Sequence, residues 1–141
     1  MYVSMGITYA VVASIFWGLA YVIDQRVLSS IRPVEFMFIS SLVGTVAYAP
    51  FVFYNCSGII ALITSSNGWS WLIASLLASN IASLAILHSI IKVNATVASF
   101  IEISYPFFVA LFCYMLYNET FNVRLIIGGL MTIVGVLIMK A

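Results

Sequence analysis

Of the chain's 141 residues, 65% are hydrophobic and only 6% are charged, with five basic and four acidic side chains, a net charge of +1 and a mean hydropathy of +1.21. A soluble domain carries roughly 25% charged residues because most of its surface meets water; this composition excludes one and describes an integral membrane protein. The near-zero charge offers nothing to a nucleic acid or an acidic ligand, and Cys56 and Cys113 are too few for a disulfide framework.

Crossing the hydrocarbon core takes about 20 apolar residues per helix. The first such run covers about Met5 to Ile23 and stops at Asp24-Gln25-Arg26. Met1-Tyr2-Val3-Ser4 before it lacks the basic stretch of a cleavable signal, so none is expected. A connection through Ser29, Ser30 and Arg32 reaches Pro33, a residue suited to a first helical turn. The second run, about Glu35 to Tyr54, ends near Pro50 and Asn55-Cys56-Ser57-Gly58. Ile59 to Ile63 is apolar but too short to span and reads as interfacial loop. The third run begins at Trp69 and Trp71, placed as interface anchors, and ends near Ile91; Lys92-Val93-Asn94-Ala95 then makes a tight turn. The fourth covers about Thr96 to Tyr117 and stops at Asn118-Glu119-Thr120, and the fifth runs from about Val123 to Met139 between Arg124 and Lys140.

Runs this apolar must be helices, since an open strand in lipid leaves its backbone groups unsatisfied. The expected fold is therefore all-α: a single domain, a bundle of about five transmembrane helices at 5–23, 35–54, 69–91, 96–117 and 123–139. With five spans the termini lie on opposite sides. Arg26, Arg32, Lys92 and Lys140 gather on one side against Arg124 on the other. Basic residues in short loops favour the cytoplasm, so a multi-pass cell-membrane protein with its N-terminus outside and C-terminus inside is expected.

Small residues let membrane helices approach closely. Ala74, Ala78 and Ala82, with Ser75, Ser79 and Ser83 beside them, provide such a surface on the third span; Gly128-Gly129 and Gly135 do so on the fifth.

Glu102 lies about six residues into the fourth span, roughly 9 Å along its axis. A charge near a helix centre costs about 2.5 kcal/mol or more and normally faces a partner or a wet cavity. Pro106, four residues on, has no N–H for the carbonyl of residue 102 and is expected to kink the helix. Ser99, Glu102 and Pro106 share a face at spacings of three and four, with Tyr105 adjacent, and this concentration of acceptors suits a proton or a cationic group. His88 lies four residues before Lys92, at a depth like that of Glu102, and Asn80 is two turns earlier. His88, Glu102, Tyr105 and Asn80 are thus candidates to line a polar cavity, with Ser99 beside them; the alternative is a structural Glu102–His88 pair joining two helices. Trp17, Gly18 and Tyr21 could present an aromatic wall to it, interface anchoring being the other reading of Tyr21. Asp24, Arg26, Arg32 and Glu35 read as solvated loop charges, and Glu119 with Arg124 as helix caps or a pair. Three Asn-X-Ser/Thr triplets, at Asn55, Asn94 and Asn118, carry little weight, because the pattern arises easily by chance. One histidine and two distant cysteines build no metal site. With neither a phosphate-binding glycine loop nor a Ser-His-Asp set, no cofactor and no enzyme activity are expected.

The stretch Asn94-Ala-Thr-Val-Ala-Ser99, then Tyr105-Pro106, Asn118-Glu119, Gly128-Gly129 and Gly135, resembles the EamA-type repeat of the drug/metabolite transporter superfamily. Trp17-Gly18 and Pro33 with Glu35 agree, so the resemblance covers essentially the whole chain. The chain departs from the family in having Asn118 where glycine often precedes the acidic residue, and Ile39-Ser40 where many members carry an arginine. Full-length members are similar to two such repeats fused in opposite orientations, and inverted repeats permit alternating access around a midplane site. The resemblance implies one repeat of a ten-helix inverted-repeat transporter, working as a dimer or with a second membrane subunit. The expected function is secondary transport of a small organic metabolite or drug, with Glu102 as the group through which a proton could be exchanged. A lipid-linked substrate flippase subunit and a non-transporting structural subunit are the alternatives.

Overall fold

The computed structural model describes residues 2–65, 68–118 and 123–140, and over these the chain is helical, without strands. The helices are α1 (Tyr2–Val27), α2 (Pro33–Tyr54), α3 (Ser57–Thr64), α4 (Gly68–Val93), α5 (Ala95–Glu102), α6 (Tyr105–Tyr117) and α7 (Val123–Lys140). Four stretches are long and apolar enough to cross a membrane: Met5–Val27, Pro33–Tyr54, Gly68–Val93 and Ala95–Tyr117. Ile126–Gly135, within α7, is a shorter apolar stretch; the 18 residues of α7 reach about 27 Å.

The described chain forms two compact units, one of residues 1–22 with 93–141 and the other of residues 23–92. In the second, an interlock at Arg32 starts α2. Its backbone N–H donates to Glu35 Oε2 at 2.9 Å while its guanidinium donates to Oε1, and Pro33 occupies the first turn. These two side chains, expected as solvated charges, are both exposed and in addition hold each other at the helix entrance. The helix then runs through Pro50 to Tyr54, because losing one N–H four residues from the end removes a single bond. Leu28 in the α1–α2 connection, Pro33 at the start of α2, and Leu87 and Ile90 in the last turns of α4 are buried.

Residues 57–64, expected as loop, are helical instead. Asn55 Oδ1 accepts from both the N–H and the hydroxyl of Ser57, satisfying donors that a helix start leaves without partners. At eight residues α3 covers about 12 Å and does not span.

In the first unit, one residue makes the turn from α4 to α5. Asn94 sits at φ 78°, outside helical geometry, and its Oδ1 accepts from Val97 N at 3.0 Å, so it separates the two helical runs and caps α5. Ala95 and Ala98 are buried just beyond it. Asn118 closes α6 in the left-handed region at φ 53°, its N–H bonded to Tyr114 O at 3.1 Å. This accounts for the departure noted above: after glycine, asparagine is the residue best tolerated in that conformation. Glu119 lies outside the described residues.

Polar side chains inside the spans largely bond their own helix, as an apolar surrounding requires. Ser14, Ser41, Thr45 and Thr132 each donate to the carbonyl four residues earlier, at 2.6–3.0 Å. Large apolar side chains such as Phe38, Val46 and Phe53 are exposed, and so are Ala74, Ala78 and Ala82. The small-residue contact is realised at Gly129, where a Cβ would lie 3.6 Å from the Phe107 ring, while Gly128 and Gly135 face open space.

Asn94→Gly should fold with its melting midpoint little changed. Asn94→Val should lose about 1–3 kcal/mol, since a branched side chain is strained at this φ and the cap is lost. Thermal unfolding of the purified variants in one detergent measures the difference.

Candidate functional site

The site is built where α5 ends. Pro106 has no amide hydrogen for a bond back to residue 102, and here the helix is broken between α5 and α6. Two residues make it. Ile103 N bonds Ser99 O at 3.0 Å, Ser104 N and Oγ both bond Ile101 O, and Phe107 N bonds Ser104 O at 3.1 Å. The expected kink at Pro106 is thus a break at Ile103–Ser104, just after the residue 102 carbonyl that the proline cannot bond. The face shared by Ser99 and Glu102 stops there. Glu102 becomes the last residue of a helix, whose C-terminus carries partial negative charge.

Glu102 is half-buried, and the Tyr21 hydroxyl donates to its Oε2. Tyr21 lies six residues before the end of Met5–Val27, and Glu102 seven residues after the start of Ala95–Tyr117. Both are about 10 Å from those ends at the helical rise, so helix geometry alone allows them to meet. The Trp17 ring, one turn earlier on α1, leans on Tyr21 with centroids 5.8 Å apart and planes inclined at 57°. Trp17 is itself 63% exposed. An indole, a phenol and a carboxyl therefore stand in line within the first unit.

The other expected residues are placed as follows. Ser99 donates to Thr96 O at 2.8 Å, and Tyr105 is exposed at the start of α6. On α4, Asn80 Nδ2 donates to Leu76 O at 2.8 Å, and His88 Nδ1 lies 2.7 Å from Leu84 O, where it donates if it carries the ring proton. Both bonds are made within α4. The structure thus joins Glu102 to Tyr21 and Trp17, and gives Asn80, His88 and Ser99 partners on their own helices. Tyr21 was legible only as an aromatic wall or an interface anchor.

Beside the break lies a cleft of about 260 Å³, with Ser104, Pro106 and Phe107 on one wall and Arg124, Gly129 and Thr132 on the other. No cluster of three or more His, Cys, Asp or Glu able to hold a metal occurs among the described residues.

Several spanning helices, with a carboxyl hydrogen-bonded inside one of them, define a multi-pass α-helical membrane protein. The chain matches the EamA-like transporter family over residues 4–141 and belongs to it; it is a membrane transporter of the drug/metabolite superfamily. Comparison with curated proteins and with solved structures gives no match.

A hydrogen bond between two spans is worth about 0.6 kcal/mol and up to ~1.7. Tyr21→Phe should therefore lower stability by about that much in the wild-type background and by close to nothing in Glu102→Leu. Unfolding free energies of the four proteins in bilayer-mimetic micelles close the cycle.

Proposed function

We propose that the chain is half of a secondary transporter for a small organic metabolite or drug, with proton exchange through Glu102. One observation carries this reading: a carboxyl within a membrane-spanning stretch is held by a neutral phenol on another helix. Such a group is costly in lipid and typically marks a substrate or proton pathway. The phenol holds the carboxyl without supplying a permanent counter-charge. The end of α5 adds acceptors beside it. Asn80, His88, Ser99 and Tyr105 remain candidates to line the same pathway, with Trp17 as an aromatic wall.

The chain supplies one repeat, and alternating access in inverted-repeat transporters needs two; it works as a dimer or with a second membrane subunit. The exposed apolar helices, in contact with lipid where no subunit covers them, are consistent with that. The placement of Arg26, Arg32, Lys92 and Lys140 against Arg124 favours an extracellular N-terminus and a cytoplasmic C-terminus. That bias argues against dual insertion, and so for a parallel pair or a heterodimer with an oppositely inserted relative. A flippase role would rest on Lys92 and Arg26 as phosphate contacts. A second reading, of a structural subunit, has one observation in its favour: the Glu102 carboxyl already has a partner inside the chain.

Proteoliposomes loaded with a pH-sensitive dye decide between the two. A panel of small organic solutes should include one that drives proton movement through wild type, and Glu102→Gln should slow it about tenfold or more. Unchanged proton movement in Glu102→Gln would remove Glu102 from the pathway. No solute-driven movement in any combination with a partner would favour the structural subunit.

A further inference from the structure

We propose that Trp17, Tyr21 and Glu102 form a binding site for an organic ammonium cation bearing apolar groups; this rests on the reading of Glu102 as a pathway residue.

Tryptophan favours the membrane–water interface, where its N–H meets water. Trp17 does not lie there. It is twelve residues into the stretch Met5–Val27, close to its middle, and 63% exposed. Its ring leans on Tyr21, and the Tyr21 hydroxyl ends on Glu102. The tilt of 57° between the two rings makes a corner rather than a flat stack. Indole and phenol faces attract cations through their ring quadrupoles, indole most strongly. The Glu102 carboxyl, the one acidic group in this arrangement, stands one side chain further along. Apolar cationic surface thus meets aromatic faces while the charge meets the carboxylate.

The same observations disfavour other ligand classes. An anion would meet the carboxylate and the negative end of α5. A small metal ion needs several oxygen ligands, and no metal-holding cluster occurs among the described residues. An uncharged apolar solute gains nothing from Glu102. Tyr21 acts as a positioning residue, turning the carboxyl toward the aromatic corner.

The test uses the full chain, purified in detergent, with Trp69→Phe and Trp71→Phe so that Trp17 is the sole indole. Benzyltrimethylammonium is titrated and Trp17 fluorescence followed, with neopentylbenzene as the uncharged isostere. The expected result is a saturable change with the cation and none with the isostere. Glu102→Gln should weaken binding about tenfold or more, as loss of a desolvated charge partner does. Glu102→Asp, which keeps the charge and guards against misfolding in the neutral variant, should retain binding. Tyr21→Phe keeps the ring and should hold affinity within about threefold, since only one hydrogen bond is lost. Equal binding of cation and isostere, equal affinity in Glu102→Gln, or no saturable change in protein shown helical by circular dichroism would each overturn the proposal. If the cation fails to bind while Glu102→Gln still abolishes solute-driven proton movement, the ligand class is wrong and the transport role of Glu102 stands. If both fail, neither stands.

Discussion

A carboxyl inside an apolar helix must be given a partner, and the hydrogen bond from Tyr21 to Glu102 meets that requirement. Much of the first unit can be understood from it. The one-residue turn at Asn94 fixes where α5 begins, and hence the depth at which Glu102 arrives. The proline four residues beyond Glu102 ends the helix at that same residue. The run of α1 past Ile23 to Val27 sets the depth of Tyr21. Moving any of these by one residue would rotate a side chain by about 100° and part the pair.

The rest of the chain answers to the same solvent constraint in a simpler way. Serines and threonines in the spans bond back to their own helix, and large apolar side chains stay on the outside. Within the first unit, Gly129 comes close to the Phe107 ring.

The spans were legible because hydropathy over about 20 residues is a property of sequence alone. Pro33 was legible as a first-turn residue and Lys92-Val93-Asn94-Ala95 as a turn, but the cap that Asn94 makes was not. Other features depend on details that apolar periodicity does not carry. Residues 57–64 lack the length of a span, yet two hydrogen bonds to Asn55 start a helix there. The break at Ile103–Ser104 precedes the proline that causes it, so the continuous face drawn from Ser99 to Pro106 ends at Glu102. The family resemblance covers the chain but does not single out Glu102, which does not belong to its motif residues. Its partner was hidden for a different reason: Tyr21 and Glu102 are 81 residues apart in sequence, and only the fold brings them together.

The most direct check is the Tyr21–Glu102 contact in a bilayer. Solid-state NMR on protein labelled with ¹³C at tyrosine Cζ and glutamate Cδ should show a cross-peak between the two carbons. It should vanish in Tyr21→Phe, and again in Glu102→Gln. Absence of the cross-peak in wild type, or its persistence in Tyr21→Phe, would contradict the pairing on which this account is built.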